Sequence, residues 1–233
     1  MFGGRERHDQ ADPQVRQLDR QLPGRPGGPL NLFELLHQHG IHGRRVRFLS
    51  REISRMLPKG ESLLDVGCGD GFLGRAIRTL RPDLTVRGLD VLVRDESRVG
   101  ARPFDGVHIP EPDKSVDATL LVDVLHHADD PERLLAECVR VSRKSVIIKD
   151  HLCESEADRR LLKWMDDVGN ERFHVSLPYG YLSEKQWLGL FERNRLTVAE
   201  WIREPKIHPP PVRWIIPARL HFLAKLSVPA RVT

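Results

Sequence analysis

The chain has 233 residues and a mass of 26.7 kDa, a size that fits one α/β domain with appendages. Hydrophobic residues make up 39% and charged residues 30%, which is typical of a globular protein and excludes collagen, a coiled coil and wholesale disorder. Residues 193–233 carry a net charge of +6 and the rest of the chain −2, whereas a nucleic-acid-binding protein more often spreads its basic residues over the main domain.

The first residues of the chain predict a tail and then a helical extension. Residues 1–29 are rich in Gly, Pro and Gln, so we predict a disordered tail. Residues 30–58 form the extension, in which order begins near residues 31–39 and a clearer helix spans 43–57 before Pro58 ends it. Its apolar face consists of Val46, Leu49, Ile53, Met56 and Leu57.

A basic stripe follows the opposite face of this helix. Its members are Arg44, Arg47, Arg51 and Arg55. Such a stripe would suit an anionic substrate, a membrane surface or RNA, and the plainer interpretation is a solvated helix face.

From Ser62 onward, short apolar runs alternate with amphipathic helices, which predicts βαβ units and an α/β fold with a mostly parallel, doubly wound sheet. The predicted strands are 62–66, 84–90, a segment ending near 104, 117–124, 145–150, 196–202 and 220–226. The predicted helices are 72–80, 131–141, 157–168 and 184–192. Ligands of such sheets bind at the carboxyl ends of the strands.

A glycine-rich turn, LDVGCGDGFLG, joins the first predicted strand of this sheet to a helix at residues 64–74. Gly67, Gly69 and Gly71 permit positive φ and leave no Cβ in the way of a ligand. On this motif alone the ligand stays open, because the same stretch fits the GxGxxG fingerprint of a nicotinamide-dependent oxidoreductase, with Asp90 further along as its acidic residue.

Three motifs together resemble the class I S-adenosylmethionine (SAM)-dependent methyltransferases, and among these the small-molecule enzymes of the ubiquinone-biosynthesis type. They are DVGCGDG from Asp65, GLD ending at Asp90, and LLVDVLHHADDPERLLAE, and the resemblance covers residues 57–150. It implies a Rossmann-like sheet of seven strands with an antiparallel last strand, a methyltransferase domain over 59–233, SAM as cofactor and a small organic acceptor as partner.

Carried onto this sequence, the resemblance implies that the cofactor-binding residues are Asp65, Gly67, Cys68, Gly69, Gly71, Asp90, Asp105 and Asp123. Asp65 would lie near the ammonium group, Asp90 would accept from both ribose hydroxyls, Asp105 would meet the adenine amino group and Asp123 the sulfonium region. The plainer alternatives are a capping carboxylate for Asp65, turn residues for Asp90 and Asp105, and a packing role for Cys68.

A protic acceptor must lose a proton, so we predict a catalytic base among the polar residues that follow the fourth and fifth strands. The candidates are His127, Asp150 and His151, and their alternative is a capping or buried structural role. We also considered a metal cluster made of Asp123, His126, His127, Asp150 and His151, since histidine and carboxylate groups are metal ligands. Because no element carries HxxxH or facial-triad spacing, and the cysteines Cys68, Cys138 and Cys153 lack zinc-site spacing, we predict no metal.

Two later segments are candidates for shaping the acceptor pocket. Tyr179 and Tyr181, in the loop 173–182, would form an aromatic wall or pack in the core. The basic, Pro-rich segment 206–225 would close the pocket, dock a partner, touch anionic lipid, or merely connect to the last strand.

The chain carries no apolar run of the roughly 20 residues needed to span a membrane and no apolar stretch near its start, so we predict a cytoplasmic protein. Two functional alternatives remain: a non-catalytic binding or assembly module with a SAM fold, and the oxidoreductase. The absence of an NPPY-type tetrapeptide disfavours methylation of nucleic acid.

Overall fold

A computed structural model describes residues 43–93, 97–170, 178–210 and 212–229, without the side chains of residues 169 and 170. The predicted disordered tail at 1–29, the first part of the predicted helical extension and the loop residues 173–177 lie outside the described residues. Within the described ranges, no helix combines the length and apolar character that crossing a membrane requires.

The described residues alternate between strands and helices as predicted. The helices are α1 Gly43–Met56, α2 Phe72–Leu80, α3 Pro131–Val141, α4 Glu156–Asn170, α5 Glu184–Arg193 and α6 Val212–Ile215. The strands are β1 Ser62–Val66, β2 Thr85–Asp90, β3 Arg102–Pro103, β4 Val116–Val122, β5 Ser142–His151, β6 Thr197–Arg203 and β7 His221–Ser227. Short 3-10 helices occupy Leu125–His127 and Ala218–Leu220.

The strands of the described chain form one seven-stranded sheet in the order β3-β2-β1-β4-β5-β7-β6. The first five strands of the chain, β1 to β5, pair with one another in parallel, and β7 is antiparallel to both β5 and β6. This arrangement confirms the predicted doubly wound fold with an antiparallel last strand. The strand order reverses between β1 and β4, so a ligand crevice is expected where these two strands end.

Both faces of the central strands are covered, which explains why their sequences read as continuous apolar runs. Alternate residues of β4 enter different cores: Leu120 packs with α1 and α2, whereas Leu121 packs with α3 and α5. Helix α1 belongs to the first of these cores, because Leu49 and Ile53 are buried against the sheet. Its apolar face is therefore the one that the sequence predicted.

The start of α3 follows the predicted signal. Asp130 is the N-cap, its side chain accepts a hydrogen bond from the Arg133 N–H at 2.9 Å, and Pro131 occupies the first turn. The 3-10 helix Leu125–His127 lies between the end of β4 and this helix start, so the chain turns from the ligand edge of the sheet into α3 within a few residues.

Candidate functional site

The glycine turn between β1 and α2 has positive φ at Gly67, Gly69 and Gly71, with values of 74°, 57° and 75°. A Cβ at Gly67 would lie 2.5 Å from Val124 Cγ2, so this position has no room for a side chain. A Cβ at Gly69 would meet nothing within 4 Å. The first glycine is thus required by packing, while Gly69 borders open space at the crevice.

The backbone N–H groups of this turn are largely used within the protein. Those of Gly67 and Cys68 donate to the Leu89 carbonyl at 2.8 and 3.0 Å, and that of Gly71 donates to the Cys68 carbonyl at 3.0 Å. The Gly69 N–H donates to Asp90 Oδ2 at 2.7 Å. A pyrophosphate needs free N–H donors at such a turn, so this pattern disfavours a dinucleotide and suits a ligand with cationic groups.

Asp90 ends β2 and fastens it to the turn. Its Oδ2 accepts from Gly69, and its Oδ1 accepts from the Leu92 N–H at 2.9 Å. A carboxylate oxygen has two lone pairs, so each oxygen retains an acceptor position for a ligand hydroxyl. This geometry suits a vicinal diol.

Asp65 lies inside β1, only 2% exposed, and no hydrogen bond from the described residues reaches its carboxylate. Burial, followed by the nearby charges of Asp90 and Asp70, raises the pKa of Asp65 to about 7. A buried carboxylate without a partner is costly in its charged form. A cationic ligand group would supply the missing partner.

Cys68 and Asp105 have local structural roles as well. Burial raises the pKa of the Cys68 thiol to about 12, which leaves it unreactive, and its sulfur packs beside Gly88. Asp105 is exposed and accepts from the N–H groups of Val107 and His108, while the His108 ring, 2.7 Å away, lowers the pKa of this carboxyl. The turn that contains Asp105 follows β3, which pairs with the end of β2 at Asp90.

Asp123 follows β4 and is a non-glycine residue with a φ of 55°. It forms close ion pairs with Lys149 of β5 and Arg45 of α1. Burial by itself would raise the pKa of Asp123, but Lys149 and then Arg45 hold it well below its usual range. The sequence analysis missed Arg45. The available signal was its position four residues before Leu49, which puts a charge beside the apolar face of the helix.

Beyond Asp123 lies a group that we call the histidine cluster: His126, His127, Asp150, His151, Asp166 and Tyr181. The His126 ring centroid is 3.9 Å from that of His127, 4.8 Å from that of His151 and 5.6 Å from that of Tyr181. His126 Nδ1 contacts Asp150 Oδ1 at 2.6 Å, and its Nε2 lies 3.5 Å from Asp166 Oδ2. The Tyr181 hydroxyl donates a short hydrogen bond to Asp166.

The cluster brings together all three residues predicted as catalytic. His127 is half-buried, and burial followed by the charge of His126 lowers its pKa to about 4. Asp150 and His151 are buried, as is His126. Burial by itself would lower the pKa of His126, but the nearby carboxylates, Asp150 first and then Asp123 and Asp166, raise it. Strand β5 extends to His151, so Lys149 and His151 both face Asp123, whereas Asp150 meets His126.

Two members of the cluster were not among the residues predicted as catalytic. His126 was considered beside His127 for the base and in the possible metal cluster, but the sequence does not indicate which of the two rings turns inward. Asp166 lies on α4, four residues after the buried Leu162. An acidic residue on the apolar face of a helix was the signal that could have found it.

The sequence model of a family described as "Methyltransferase domain" matches residues 41–200. The chain belongs to the class I SAM-dependent methyltransferases. SAM is therefore the cofactor, as predicted. The buried carboxylate of Asp65 and the remaining acceptor positions of Asp90, beside the glycine turn, are chemically compatible with its ammonium group and its ribose hydroxyls.

The chain is similar to two curated relatives over part of its length. It is 28% identical over 110 residues to the 27-O-demethylrifamycin SV methyltransferase of Amycolatopsis mediterranei (strain S699), an alignment that covers 41% of this chain and 40% of the relative. It is 33% identical over 119 residues to the tRNA (carboxymethyluridine(34)-5-O)-methyltransferase of Arabidopsis thaliana. This alignment covers 46% of this chain and 28% of the relative. The matches thus span less than half of each relative.

Solved structures share the fold of this methyltransferase at low identity. The geranyl diphosphate C-methyltransferase of Streptomyces coelicolor A3(2) superposes with a TM-score of 0.61 at 14% identity, covering 94% of this chain and 100% of that one. A methyltransferase solved in complex with the Trm112 methyltransferase activator of Haloferax volcanii superposes with a TM-score of 0.60 at 18% identity. The match covers 88% of this chain and 100% of that one.

Proposed function

We propose that this methyltransferase acts on a small organic acceptor with a protic group, held against the histidine cluster. The observation that carries the proposal is the burial of polar side chains at the carboxyl ends of β4 and β5, immediately beyond Asp123. Buried imidazoles with unpartnered nitrogens are costly unless a ligand satisfies them. The rifamycin methyltransferase, whose name specifies a small molecule, supports the same acceptor class.

For the cofactor, we propose the roles that the motif positions suggest. Asp65 pairs with the ammonium group, Asp90 accepts from the ribose hydroxyls, and Asp105 lies at the adenine. Asp123, together with the turn formed by Gly67, Cys68, Gly69 and Gly71, borders the methionine part. When bound, SAM would supply an activated methyl group for the acceptor's lone pair, with the electron pair of the broken carbon–sulfur bond left on sulfur and the acceptor's proton taken up by His127.

For the acceptor, we assign direct contact to His127. Its ring is half-buried, and its Nδ1 has no hydrogen-bond partner among the described residues. Asp150 and His151 lie deeper. Asp150 Oδ1 accepts from both the His126 ring and the His151 N–H, so Asp150 positions the cluster rather than touching the acceptor.

The acceptor class is tested with SAM that carries a deuterated methyl group. We expect a mass-shifted product when the protein is incubated with the small-molecule fraction of a cell extract, and a lower kcat/KM for His127→Gln. The RNA fraction is assayed in parallel, because one relative is a tRNA methyltransferase. Label confined to RNA would overturn the small-molecule acceptor, and SAM binding without label in any fraction would favour a binding module.

Asp65 makes a further prediction, which concerns pH. Because its pKa is raised to about 7, the folded protein binds this proton more tightly than the unfolded chain, and stability without ligand falls as pH rises from about 4 to 7. A cationic ligand favours the charged carboxylate, so SAM affinity should increase as pH rises towards 7, with release of a proton. Calorimetry in buffers of different ionisation enthalpy measures that release.

The matched variant is Asp65→Asn, which keeps the shape and removes the charge. We expect it to be more stable than the original chain at pH 8, to bind SAM more weakly, and to show no proton release between about pH 5.5 and 7. Unchanged proton release in this variant would remove Asp65 from the ammonium site.

A further inference from the structure

We infer that His126, His151 and Asp166 form a binding site for one divalent first-row transition-metal ion. The sequence analysis predicts no metal, because no single element carries ligand spacing. These three residues come from three elements: the 3-10 helix after β4, the end of β5, and α4. The site stands on its own geometry, and only its role in methyl transfer rests on the proposed function.

The candidate ligand atoms are close enough for one ion. One side-chain atom from each residue lies within 4.8 Å of the other two, and all three residues are buried. Zinc–nitrogen and zinc–oxygen bonds of about 2.0–2.2 Å at a tetrahedral angle put two ligand atoms about 3.4 Å apart. The distance between His126 Nε2 and Asp166 Oδ2 is 3.5 Å. This pair already has the separation that an ion would impose.

One ring nitrogen of each histidine also lacks a hydrogen bond among the residues that the structure describes. His126 Nε2 and His151 Nδ1 are fully buried, and neither makes a hydrogen bond with the described residues. An unsatisfied nitrogen in such a place is unfavourable. A metal ion at the centre of the three residues would satisfy the nitrogen of His126 and use a ring nitrogen of His151.

Residues around the ligands are arranged to orient them. His126 Nδ1 lies 2.6 Å from Asp150 Oδ1, so Nε2, on the opposite side of the ring, is the nitrogen that would face a metal ion. This carboxylate–histidine pair is the outer support that metal-bound histidines usually have. Tyr181 gives Asp166 a corresponding support through its hydroxyl.

The ligand set and its charge select the class of ion. Two imidazoles with one carboxylate suit zinc, iron, cobalt or manganese rather than magnesium or calcium, which prefer oxygen ligands. A dication would also offset the two buried carboxylates, Asp150 and Asp166. Three protein ligands leave a fourth position open, as in catalytic zinc sites. Under the proposed function, an acceptor oxygen would occupy it and lose its proton more readily.

The test uses the full chain, stripped of metal by a chelator and titrated with Zn²⁺ by calorimetry and with Co²⁺ by visible absorption. We expect one ion per chain and a Co²⁺ spectrum of tetrahedral or five-coordinate type. His126→Gln and Asp166→Asn should each weaken binding at least tenfold, and Asp150→Asn by about 10–100-fold, as for other outer supports. The control is His108→Gln, an exposed histidine outside the cluster, which should bind metal as the original chain does.

Circular dichroism and thermal unfolding verify that each variant is folded. Absence of stoichiometric metal, or equal affinity in His126→Gln, Asp166→Asn and the original chain, would overturn the inference. Methyl transfer that persists in chelator without bound metal would overturn only the ion's role in the reaction. Metal binding in a chain that does not bind SAM would leave the site standing while the proposed function fails.

Discussion

Replacing Asp90 by alanine is expected to weaken SAM binding by at least about 10–100-fold, since the loss of even one charge-assisted hydrogen bond costs about 1.5–3 kcal/mol. Asp90 has two tasks: it anchors the Gly69 N–H and the Leu92 N–H, and it retains lone pairs towards the crevice. The variant therefore loses the diol acceptor and loosens the turn. Isothermal titration with SAM measures the affinity directly.

Two further variants separate these tasks. Asp90→Asn keeps one carbonyl acceptor and the side-chain shape, so its affinity should lie between those of the alanine variant and the original chain. Asp113→Ala removes an exposed carboxylate that pairs with Arg140 at another part of the surface, and it should bind SAM normally. An Asp90→Ala protein that binds SAM as well as the original would show that the ribose lies elsewhere.

Gly67→Ala is expected to have the largest effect on stability. A side chain there adopts an unfavourable positive φ, at about 1–2 kcal/mol, and its Cβ would lie 2.5 Å from Val124, with overpacking of about 1–3 kcal/mol. We therefore expect a loss of about 2–5 kcal/mol in the free energy of unfolding, measured by urea denaturation at equilibrium.

Gly69→Ala is the matched control, because it has the same kind of backbone conformation but no neighbour within 4 Å of the added Cβ. Only the conformational cost of about 1–2 kcal/mol applies to it. Its added methyl group borders the crevice, so this variant should remain folded and bind SAM more weakly. If both alanines destabilise the protein equally, the contact with Val124 is not what excludes a side chain at Gly67.

The elements of the fold were predictable because strand and helix periodicity is a local property. The runs around Leu64 and Leu120 are apolar on both faces, which is typical of central parallel strands. The seven strands and the antiparallel last strand were predicted from the family resemblance, and the strand order was not predicted, since residue spacing does not encode which strands become neighbours. The acidic residues at strand ends, such as Asp90, were predictable for the same reason as the strands.

The acceptor side was predictable only in part. His126 and His127 are adjacent, and the 3-10 helix that contains them decides which ring is buried. Arg45 and Asp166 reach the site from helices that are 78 and 16 positions away from Asp123 and Asp150 in the sequence, so only the folded topology brings them there. The only sign of these two residues in the sequence is a charged residue on an otherwise apolar helix face.

The ion pair between Arg45 and Asp123 has a practical consequence for dissecting this protein. Helix α1 supplies both a layer of the core and a cation at the ligand edge, so the smallest fragment that retains the site must begin upstream of Gly43. A fragment starting after Pro58 would expose the sheet surface under Leu49 and Ile53 and leave the Asp123–Lys149 pair without its third charge. Truncation boundaries should therefore be chosen ahead of this helix.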